Sequence, residues 1–492
     1  MDGQLCVKYK RSCVRRIAMT GKYKDLSGNV LLFSISAFGH KILAFLLIPL
    51  YTNYLSIEQY GTIDLIGNTV NLLIPIFTLN ISEAVMRFTI DDRQNDAYLL
   101  VGIRTIVKGT CVLACLLLCV YHLPILDAYR SCLGWIFILY LVNSLYALGQ
   151  NYLRATDRIP VMVIASLIDS AVMLVLDVVL IARAGMGIDG YYMAMVFGLL
   201  GALIFMDAKA KLRGHIAIKS VFCKKREDAG IKKACFAYCI PTIFTTLAWW
   251  VNSGIDRYFV TGMCGVGQNG IYSIAYKIPT ILGVFQGIFN QAWMISAIME
   301  FDPEDPDGFF GKTYELYTAM MVLVTSGILL FNILLSKILY ANAFFEAWRY
   351  VPALLLSSLF SALAGYLGSV FSAVKDMKTC AYTVAISAGI NIILDGILIP
   401  VYGVQGAAIA TALSYITSWG IRVAIVQRYI KMEFHLVKEL SAYLLLFFQA
   451  IAALSKTHMY IGQMLLVLCL LGIYFDRYKK IFTQLIRGVK KK

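Results

Sequence analysis

Two stretches of this chain share one pattern: LDGILIPVYGVQGAAIAT (residues 394–411) and LDVVLIARAGMGIDGYYMA (residues 176–194). In each, Leu-Asp-x-x-Leu-Ile is followed by a short turn and by a Gly-x-x-Gly pair that opens the next apolar run. A carboxylate thus stands at the same point of two apolar segments, as Asp177 and as Asp395. The pattern indicates a duplicated set of apolar helices that carries a charged side chain at a fixed depth.

The composition requires a bilayer around those helices. Of 492 residues, 59% are apolar and 15% are charged, and the mean hydropathy is +0.72. A soluble chain could not keep so much apolar surface from water. A hydrocarbon core of about 30 Å takes about 20 helical residues per span, and the apolar runs are too long and uniform for barrel strands. About fourteen spans are predicted, at residues 29–52, 62–84, 97–121, 132–153, 160–182, 187–206, 235–261, 270–296, 314–336, 350–374, 379–400, 404–427, 437–455 and 459–475.

The net charge of +15 reflects membrane topology rather than nucleic-acid binding. With the N-terminus inside, most of the 44 Lys and Arg residues fall in inside segments. This is the positive-inside pattern, and it predicts cytoplasmic termini. Basic segments such as KKREDAGIKK (224–233) then lie near anionic lipid. The outside loops hold Arg130, Arg183, Lys337, Arg349 and Lys456.

The first 28 residues do not read as a secretory signal, and the cysteines do not read as a metal site. The basic segment 1–28 lacks the apolar core of a secretory signal, and Met19 is an alternative start. The twelve cysteines are scattered, and Cys111, Cys115 and Cys119 form a stripe at helical spacing. No His or second Cys cluster completes a metal site, so a small-residue packing stripe is the preferred interpretation and no metal or cofactor is predicted.

Longer-range matches indicate two related halves. YALGQNYLRATDR (146–158) precedes the fifth span and YLGSVFSAVKDMK (366–378) the eleventh, while QYGTIDLI (59–66) is echoed more weakly by QNGIYSIA (268–275). An offset of six spans is even, so the halves are parallel and not inverted. The predicted regions are a basic tail (1–28), an N-lobe (29–206), a basic loop (207–234), a C-lobe (235–428), two appended spans (429–475) and a basic tail (476–492).

The repeated carboxylates have three interpretations. Because Asp177 and Asp395 occupy matching places, we favour an architectural role in which they accept hydrogen bonds from hydroxyl or backbone groups where the helix turns. Intramembrane carboxylates also serve coupling protons or cations, which is the second interpretation. Contact with substrate is the third.

Basic residues inside the spans point to an anionic ligand. Lys41 lies mid-span, Arg104 and Lys108 share one face of the third span, and Arg257 and Lys277 lie in the seventh and eighth. Each mid-bilayer charge costs roughly 2.5–3.5 kcal/mol, so such residues should face water, a partner or a ligand. Arg104 could instead snorkel inward, and Arg257 could pair with a carboxylate. The basic excess over Asp64, Asp177, Asp256 and Asp395 favours a cavity for phosphate or pyrophosphate.

Signatures of enzymes are weak throughout. DGFFGKTY (307–314) lacks the spacing of a phosphate-binding loop. No nucleophile elbow, HExxH or paired-carboxylate pattern lies on an outer loop, and no outer loop is long enough to hold a catalytic domain. We therefore expect a transporter and not an enzyme.

The order and spacing of several motifs resemble a known family. The chain resembles the polysaccharide transporter branch of the multidrug/oligosaccharidyl-lipid/polysaccharide (MOP) exporter superfamily, the Wzx-like O-antigen and capsule flippases. The likeness spans most of residues 20–430. The motifs that carry it are PLYTNYLSIEQYGTIDL (49–65), GQNYLRATDR (149–158), IDRYFVTGMCGVGQNGIYSIAYKI (255–278), QAWM (291–294) and NIILDGILIPVYGVQGAAIATALSY (391–415).

The resemblance implies a fold and an activity. It implies an all-α, MATE-like membrane protein with two parallel six-helix lobes around a cationic cavity, plus two C-terminal helices. It further implies alternating access that carries a polyprenyl-pyrophosphate-linked oligosaccharide across the bacterial cytoplasmic membrane, with a polysaccharide polymerase and chain-length machinery as further partners. Lys41 is placed similarly to basic residues of the related lipid II flippases. Family members often have Asn at the position of Asp395, so ion coupling there is not carried over.

Two alternatives remain at this point. An ion-coupled multidrug or cation antiporter of the same superfamily would more often have twelve spans and acidic cavity residues. A membrane polysaccharide polymerase or ligase would act on the same lipid-linked sugars, but such enzymes usually present a sizeable outer loop.

Overall fold

The computed structural model of this chain describes residues 43, 45–93, 95–122, 130–210, 228–299, 301–374, 376–455 and 460–475. Within them the regular secondary structure is helical and contains no strand. The two basic tails (1–28 and 476–492), with Met19, lie outside the described residues. So do Lys41, most of the first predicted span and the middle of the predicted loop 207–234.

The described α-helices are numbered here in chain order. A π-helical turn (Val178–Arg183) continues α6, and a 3-10 helix (Asn342–Arg349) precedes α13. The helices are α1 (Ile48–Tyr54), α2 (Ile57–Thr78), α3 (Ile81–Asp91), α4 (Ala97–Tyr121), α5 (Arg130–Ala155), α6 (Ile159–Asp177), α7 (Gly187–Ala210), α8 (Asp228–Cys264), α9 (Val266–Ala275), α10 (Thr280–Met299), α11 (Phe309–Leu330), α12 (Asn332–Leu339), α13 (Val351–Ala373), α14 (Met377–Tyr402), α15 (Val404–Val426), α16 (Leu436–Ala453) and α17 (Tyr460–Ile473).

Ten membrane-length apolar helices occur in the described part of the chain. The pair α2 and α3 adds an eleventh span if it is counted as one helix bent by 55°. The bend falls at Leu79 and Asn80, whose φ angles of 53° and 55° are left-handed. Thr280–Asn290 and α17 are apolar but shorter. The predicted all-α, multi-pass membrane fold is confirmed, whereas the described residues do not establish the number fourteen.

The predicted eighth span, 270–296, is not one helix. Helix α9 ends at Ala275 and α10 begins at Thr280, with a turn between them that contains Pro279. The residue before a proline is disfavoured in the α conformation, which explains a break at this point. Lys277 therefore lies in a turn between two helices and not within one continuous helix, which corrects its predicted setting.

The repeated Gly-x-x-Gly pairs form the two matching turns between helices. Gly187 and Gly403 have φ angles of 55° and 58°, in the left-handed region that glycine adopts at little cost. A Cβ at the second glycine of the C-lobe pair, Gly406, would overlap the carbonyl oxygen of Leu398. That glycine lets α15 fold back closely on α14. The duplicated sequence pattern thus encodes a turn and a close helix approach.

The two lobes meet along α2 and α9, near the helix ends predicted to face outside. Gly61 of α2 and Gly270 of α9 lie at the crossing. A Cβ on Gly61 would overlap the carbonyl oxygen of Val266, and a Cβ on Gly270 would overlap that of Ile57. Gly61 corresponds to Gly270, and Ile57 to Val266, when the segments QYGTIDLI and QNGIYSIA are aligned. The weak sequence repeat therefore packs against its own counterpart across a pseudo-twofold axis.

The appended helices α16 and α17 pack on α11 of the C-lobe. Gln449 of α16 donates to the Ser326 carbonyl at 2.9 Å and accepts from its hydroxyl at 2.8 Å. Lys438 forms a 2.8 Å ion pair with Glu315 of α11. These polar contacts fix the appendage to the C-lobe.

Candidate functional site

A buried ion pair joins the lobes below the glycine crossing. Arg257, near the end of α8, is 9% exposed, and its Nε lies 2.9 Å from Oδ2 of Asp64 on α2. The N–H does not point along that contact, so it is an ion pair rather than an aligned hydrogen bond. The guanidinium also lies 3.2 Å from Oδ1 of Asp256 and 2.6 Å from the Ser253 carbonyl. The positive charge is thus matched by two carboxylates, one from each lobe.

Asp256 is the hub of a hydroxyl network within the C-lobe. Its Oδ2 accepts hydrogen bonds from Tyr272 at 2.5 Å, Tyr276 at 3.0 Å and Thr411 at 3.4 Å. The Tyr276 ring also lies 4.7 Å from the guanidinium of Arg257, within cation–π distance. Both charges are therefore held by neutral groups from α9 and α15 as well as by each other.

More polar contacts line the seam between α2 and α8. The indole of Trp250 donates to the Asn68 carbonyl at 3.0 Å. The hydroxyls of Thr69 and Tyr258 lie 2.7 Å apart. Toward the predicted cytoplasmic side, Asn80 donates to Thr246 at 3.2 Å. The lobes are joined by a line of hydrogen bonds rather than by an apolar core alone.

The two repeated carboxylates differ in their surroundings. Asp177 is buried, and its Oδ2 accepts a 2.7 Å hydrogen bond from Tyr51 of α1. Asp395 is equally buried, but no described residue donates a hydrogen bond to either of its oxygens. Asp256 is close enough for the two charges to interact. Asp395 therefore lacks the hydrogen bonds that an architectural role requires.

A polar cavity lies beside this network, and the residues that line it come from the C-lobe. Its volume is about 180 Å³. Asn252 and Ser253 of α8, Gln286 of α10 and Ser358 of α13 contribute amides and hydroxyls. Tyr276, Thr411 and Tyr415 also line it. Since Tyr276 and Thr411 bond to Asp256, the wall of the cavity is continuous with the ion network.

The other predicted cations are less closely associated with this site. Arg104 is half-buried on α4 and has interaction partners, and Lys108 is exposed one turn further along. Lys277 is half-buried in the turn after α9, and Lys41 lies outside the described residues. The structure thus brings together Asp64, Asp256, Arg257 and Asp395, but not a cluster of five cations.

Sequence reasoning missed the neutral members of the network and several buried charged residues. Tyr272 and Tyr276 are spaced by one helical turn, which could have been noticed, but Thr411 has no distinguishing pattern. Arg422 on α15 is also buried, and its guanidinium donates to the Ala364 carbonyl at 2.6 Å and to Thr383 at 3.0 Å. Arg422 joins three C-lobe helices, which indicates a structural role.

The described residues of this site can bind a charged or polar ligand, but they do not form a recognisable catalytic or metal-binding group. In the described part of the chain, no group of three or more His, Cys, Asp or Glu side chains is arranged to hold a metal ion. The features present are the ion pair between the lobes, the buried carboxylate of Asp395 and the uncharged polar cavity of the C-lobe. Charged and polar groups buried among membrane helices mark a candidate ligand site.

Comparisons with known proteins agree with this picture. Residues 26–297 match the sequence profile of a family described as "Polysaccharide biosynthesis protein". Among curated protein sequences, none matches the chain.

Solved structures match over most of the chain. The lipid II flippase MurJ in an inward closed conformation superposes with a TM-score of 0.65 at 16% identity, covering 93% of this chain and 100% of that one. An inward-facing multidrug resistance MATE transporter of the MOP superfamily gives 0.58 at 14% identity, covering 80% and 96%. A MOP superfamily transporter from Pyrococcus furiosus gives 0.52 at 13% identity, covering 82% and 96%. At these identities the likeness establishes the fold. The chain belongs to the polysaccharide biosynthesis protein family, and its fold is that of the MOP superfamily of membrane transporters.

Proposed function

We propose that the protein is a flippase that moves a polyprenyl-pyrophosphate-linked oligosaccharide from the inner to the outer leaflet of the bacterial cytoplasmic membrane, for surface polysaccharide synthesis. The observation that carries the proposal is the polar cavity that adjoins a buried ion pair between two membrane lobes. Sugars need a hydrated, hydrogen-bonding environment inside the bilayer, and this cavity supplies hydrogen-bonding groups there. Membership of a polysaccharide biosynthesis family supports the same substrate class.

The charged residues then take separate roles. Arg257 is already matched by Asp64 and Asp256, so we assign it to the junction between the lobes rather than to the pyrophosphate. Lys41, Arg104, Lys108 and Lys277 remain as cations for the pyrophosphate, while the prenyl tail stays in lipid between the lobes. A polymerase and chain-length machinery would receive the product, and both termini would be cytoplasmic.

We assign ion coupling to Asp395 and an architectural role to Asp177. A buried carboxylate without a hydrogen-bond partner is expensive, and it is tolerated where a proton or cation binds it. Asp177 has a hydroxyl partner and so needs no ion.

The experiment that tests the flippase proposal measures the sidedness of lipid-linked oligosaccharide in a strain that lacks this gene. We expect full-length units to accumulate facing the cytoplasm and surface polymer to disappear. In the restored strain, Lys41→Ala should abolish export at normal protein level, and Lys41→Arg should keep part of it. Units that reach the outer leaflet normally in the deletion strain would contradict the proposal.

One observation favours a second candidate, an ion-coupled antiporter of small cations or drugs. Asp395 is an acidic group buried beside a polar cavity, and the fold is shared with a multidrug transporter. In that case the same deletion strain would keep its surface polymer and become more sensitive to cationic compounds.

A further inference from the structure

The cavity of the C-lobe has a chemistry of its own, distinct from that of the charged residues. Its described lining includes no Asp, Glu, Lys, Arg or His side chain. Instead it presents two amides, Asn252 and Gln286, together with hydroxyls from α8, α10, α13 and α15. A pyrophosphate would find no cation among these lining side chains, and a metal ion would find no carboxylate. The lining suits a neutral, multiply hydroxylated ligand.

Several lining groups are held in position before any ligand arrives. Tyr276 and Thr411 are oriented by their hydrogen bonds to Asp256. Asn252 is 3% exposed, and its Oδ1 accepts from Ser387 at 3.4 Å. Because these groups are fixed by the protein, little ordering would oppose binding.

Size and surface agree with one sugar ring. A cavity of about 180 Å³ has room for a single pyranose but not for an oligosaccharide. Hydroxyls and amides hydrogen-bond to sugar hydroxyl and acetamido groups, and the two tyrosines, Tyr276 and Tyr415, supply aromatic surface for the C–H faces of a ring.

We propose that this cavity is a binding site for one uncharged sugar residue of the lipid-linked oligosaccharide, with Asn252, Gln286 and Ser358 as hydrogen-bonding groups. The inference rests on the proposed flippase function and adds a selectivity site to it. The sugar is recognised inside the C-lobe, by side chains other than the cations assigned to the pyrophosphate. Its position next to the Asp256 network puts the bound ring beside the junction between the lobes.

Gly283 allows a steric test of this site. It lines the cavity on α10, and a Cβ built on it meets no atom within 4 Å. Gly283→Leu should therefore fill the cavity without displacing the backbone. Gly420→Leu is the matched control, since Gly420 is exposed on α15 and its Cβ also meets nothing within 4 Å. Because α15 also lines the cavity, the control tests a leucine on the same lobe outside the site.

The measurement uses the purified full-length protein and two probes. One is the polyprenyl-linked oligosaccharide extracted from the deletion strain, and the other is polyprenyl pyrophosphate without sugar. We expect Gly283→Leu to raise the Kd for the sugar-bearing lipid at least tenfold and to leave the Kd for the sugar-free lipid unchanged. Gly420→Leu should match the wild type with both probes. Gln286→Met keeps the side-chain volume and removes the amide. It should raise the Kd for the sugar-bearing lipid about threefold to tenfold. This variant replaces Gly283→Leu in the test if Gly283→Leu does not fold.

Three results would overturn the inference. Unchanged affinity of both cavity variants for the sugar-bearing lipid would show that no sugar binds there, while the flippase function would stand. An equal loss of affinity for both probes would assign the cavity to the pyrophosphate or to general packing. Failure of the wild type to bind the extracted lipid would overturn the flippase function and the sugar site with it.

Discussion

The N-lobe and the C-lobe carry the same sequence pattern, but the repeated carboxylate has different hydrogen-bond partners in the two lobes. In the N-lobe, Asp177 is capped by the hydroxyl of Tyr51 from α1. In the C-lobe, Asp395 is buried to the same degree and receives no hydrogen bond from a described residue. A duplicated fold can thus keep one copy of a polar residue for structure and free the other copy for a ligand. Similarity of position does not imply similarity of role.

The largest expected effect comes from neutralising the two carboxylates separately. Asp395→Asn should reduce transport by about tenfold or more, because an amide cannot bind a coupling ion as a carboxylate does. Asp177→Asn should change transport less than about twofold, because an amide oxygen still accepts from Tyr51. Transport of lipid-linked oligosaccharide into the outer leaflet of proteoliposomes gives the readout. Equal losses in the two variants would remove the functional distinction between the lobes.

Breaking the ion pair that joins the lobes should have the next largest effect. Arg257→Met leaves Asp64 and Asp256 without their counter-ion and should lower the free energy of unfolding by about 3–5 kcal/mol. The exposed pair Arg349–Glu346, at 2.9 Å, provides the control. Arg349→Met should cost less than about 1 kcal/mol, since solvent screens that pair. Unfolding of the purified variants in detergent measures both, and similar losses would argue against a buried bridge between the lobes.

The crossing at Gly61 and Gly270 allows a test of whether the two lobes contribute equally to the stability of their contact. Gly61→Ala and Gly270→Ala each place a methyl group against a backbone carbonyl of the other lobe, so each should cost about 1–3 kcal/mol. Gly67→Ala, on the same helix as Gly61 but with no atom within 4 Å of its Cβ, should be neutral or slightly stabilising. Melting temperatures of the three variants give the comparison. A marked difference between Gly61→Ala and Gly270→Ala would show that the crossing is not symmetric in energy.

The smallest effect on stability is expected in the two corresponding turns that contain Asp157 and Asp376 and are predicted to face the cytoplasm. Thr379 and Tyr429 donate hydrogen bonds to Asp376, which lowers the pKa of its carboxyl to about 2. Because this pKa lies below its unfolded value of about 3.9, the carboxylate stabilises the fold above that pH and loses its effect as the pH falls through about 2. Asp376→Asn should therefore lower the melting temperature slightly at neutral pH and remove this acid dependence.

Asp157 occupies the corresponding turn of the N-lobe and is the control. It is exposed and lies 3.9 Å from Arg93, so Asp157→Asn should leave the melting temperature unchanged. Melting curves between about pH 5 and pH 2 would separate the two variants. An acid dependence that persists in Asp376→Asn would assign it to another group.

Much of the fold could be predicted because membrane helices leave a strong local signal. Apolar length and the absence of water force a helix wherever about 20 apolar residues run together. The duplicated Gly-x-x-Gly marked the turns correctly, because left-handed backbone and close helix contact both select glycine. The break at residues 276–279 and the bend at Leu79 were not foreseen, since both interrupt segments that remain apolar throughout.

The candidate site was predicted only in part. The sequence singled out Asp64, Asp256, Arg257 and Asp395 because a charge in an apolar run is conspicuous. It could not show that Arg257 pairs with Asp64, since the two are far apart in the chain and belong to different lobes. Nor could it find Thr411 or Gln286, because a neutral polar side chain in a membrane helix is common and acquires meaning only from its neighbours.

The sequence alone determined that this protein is an all-helical, multi-pass membrane protein with a duplicated turn pattern, because hydropathy and repeated turns are properties of the local chain. Only the tertiary structure decided which charges are neutralised, which carboxylate is left without a partner and where a polar cavity forms. Those outcomes depend on distances between helices that are remote in sequence. In a low-dielectric interior, such distances decide whether a charge is paired or available to a ligand.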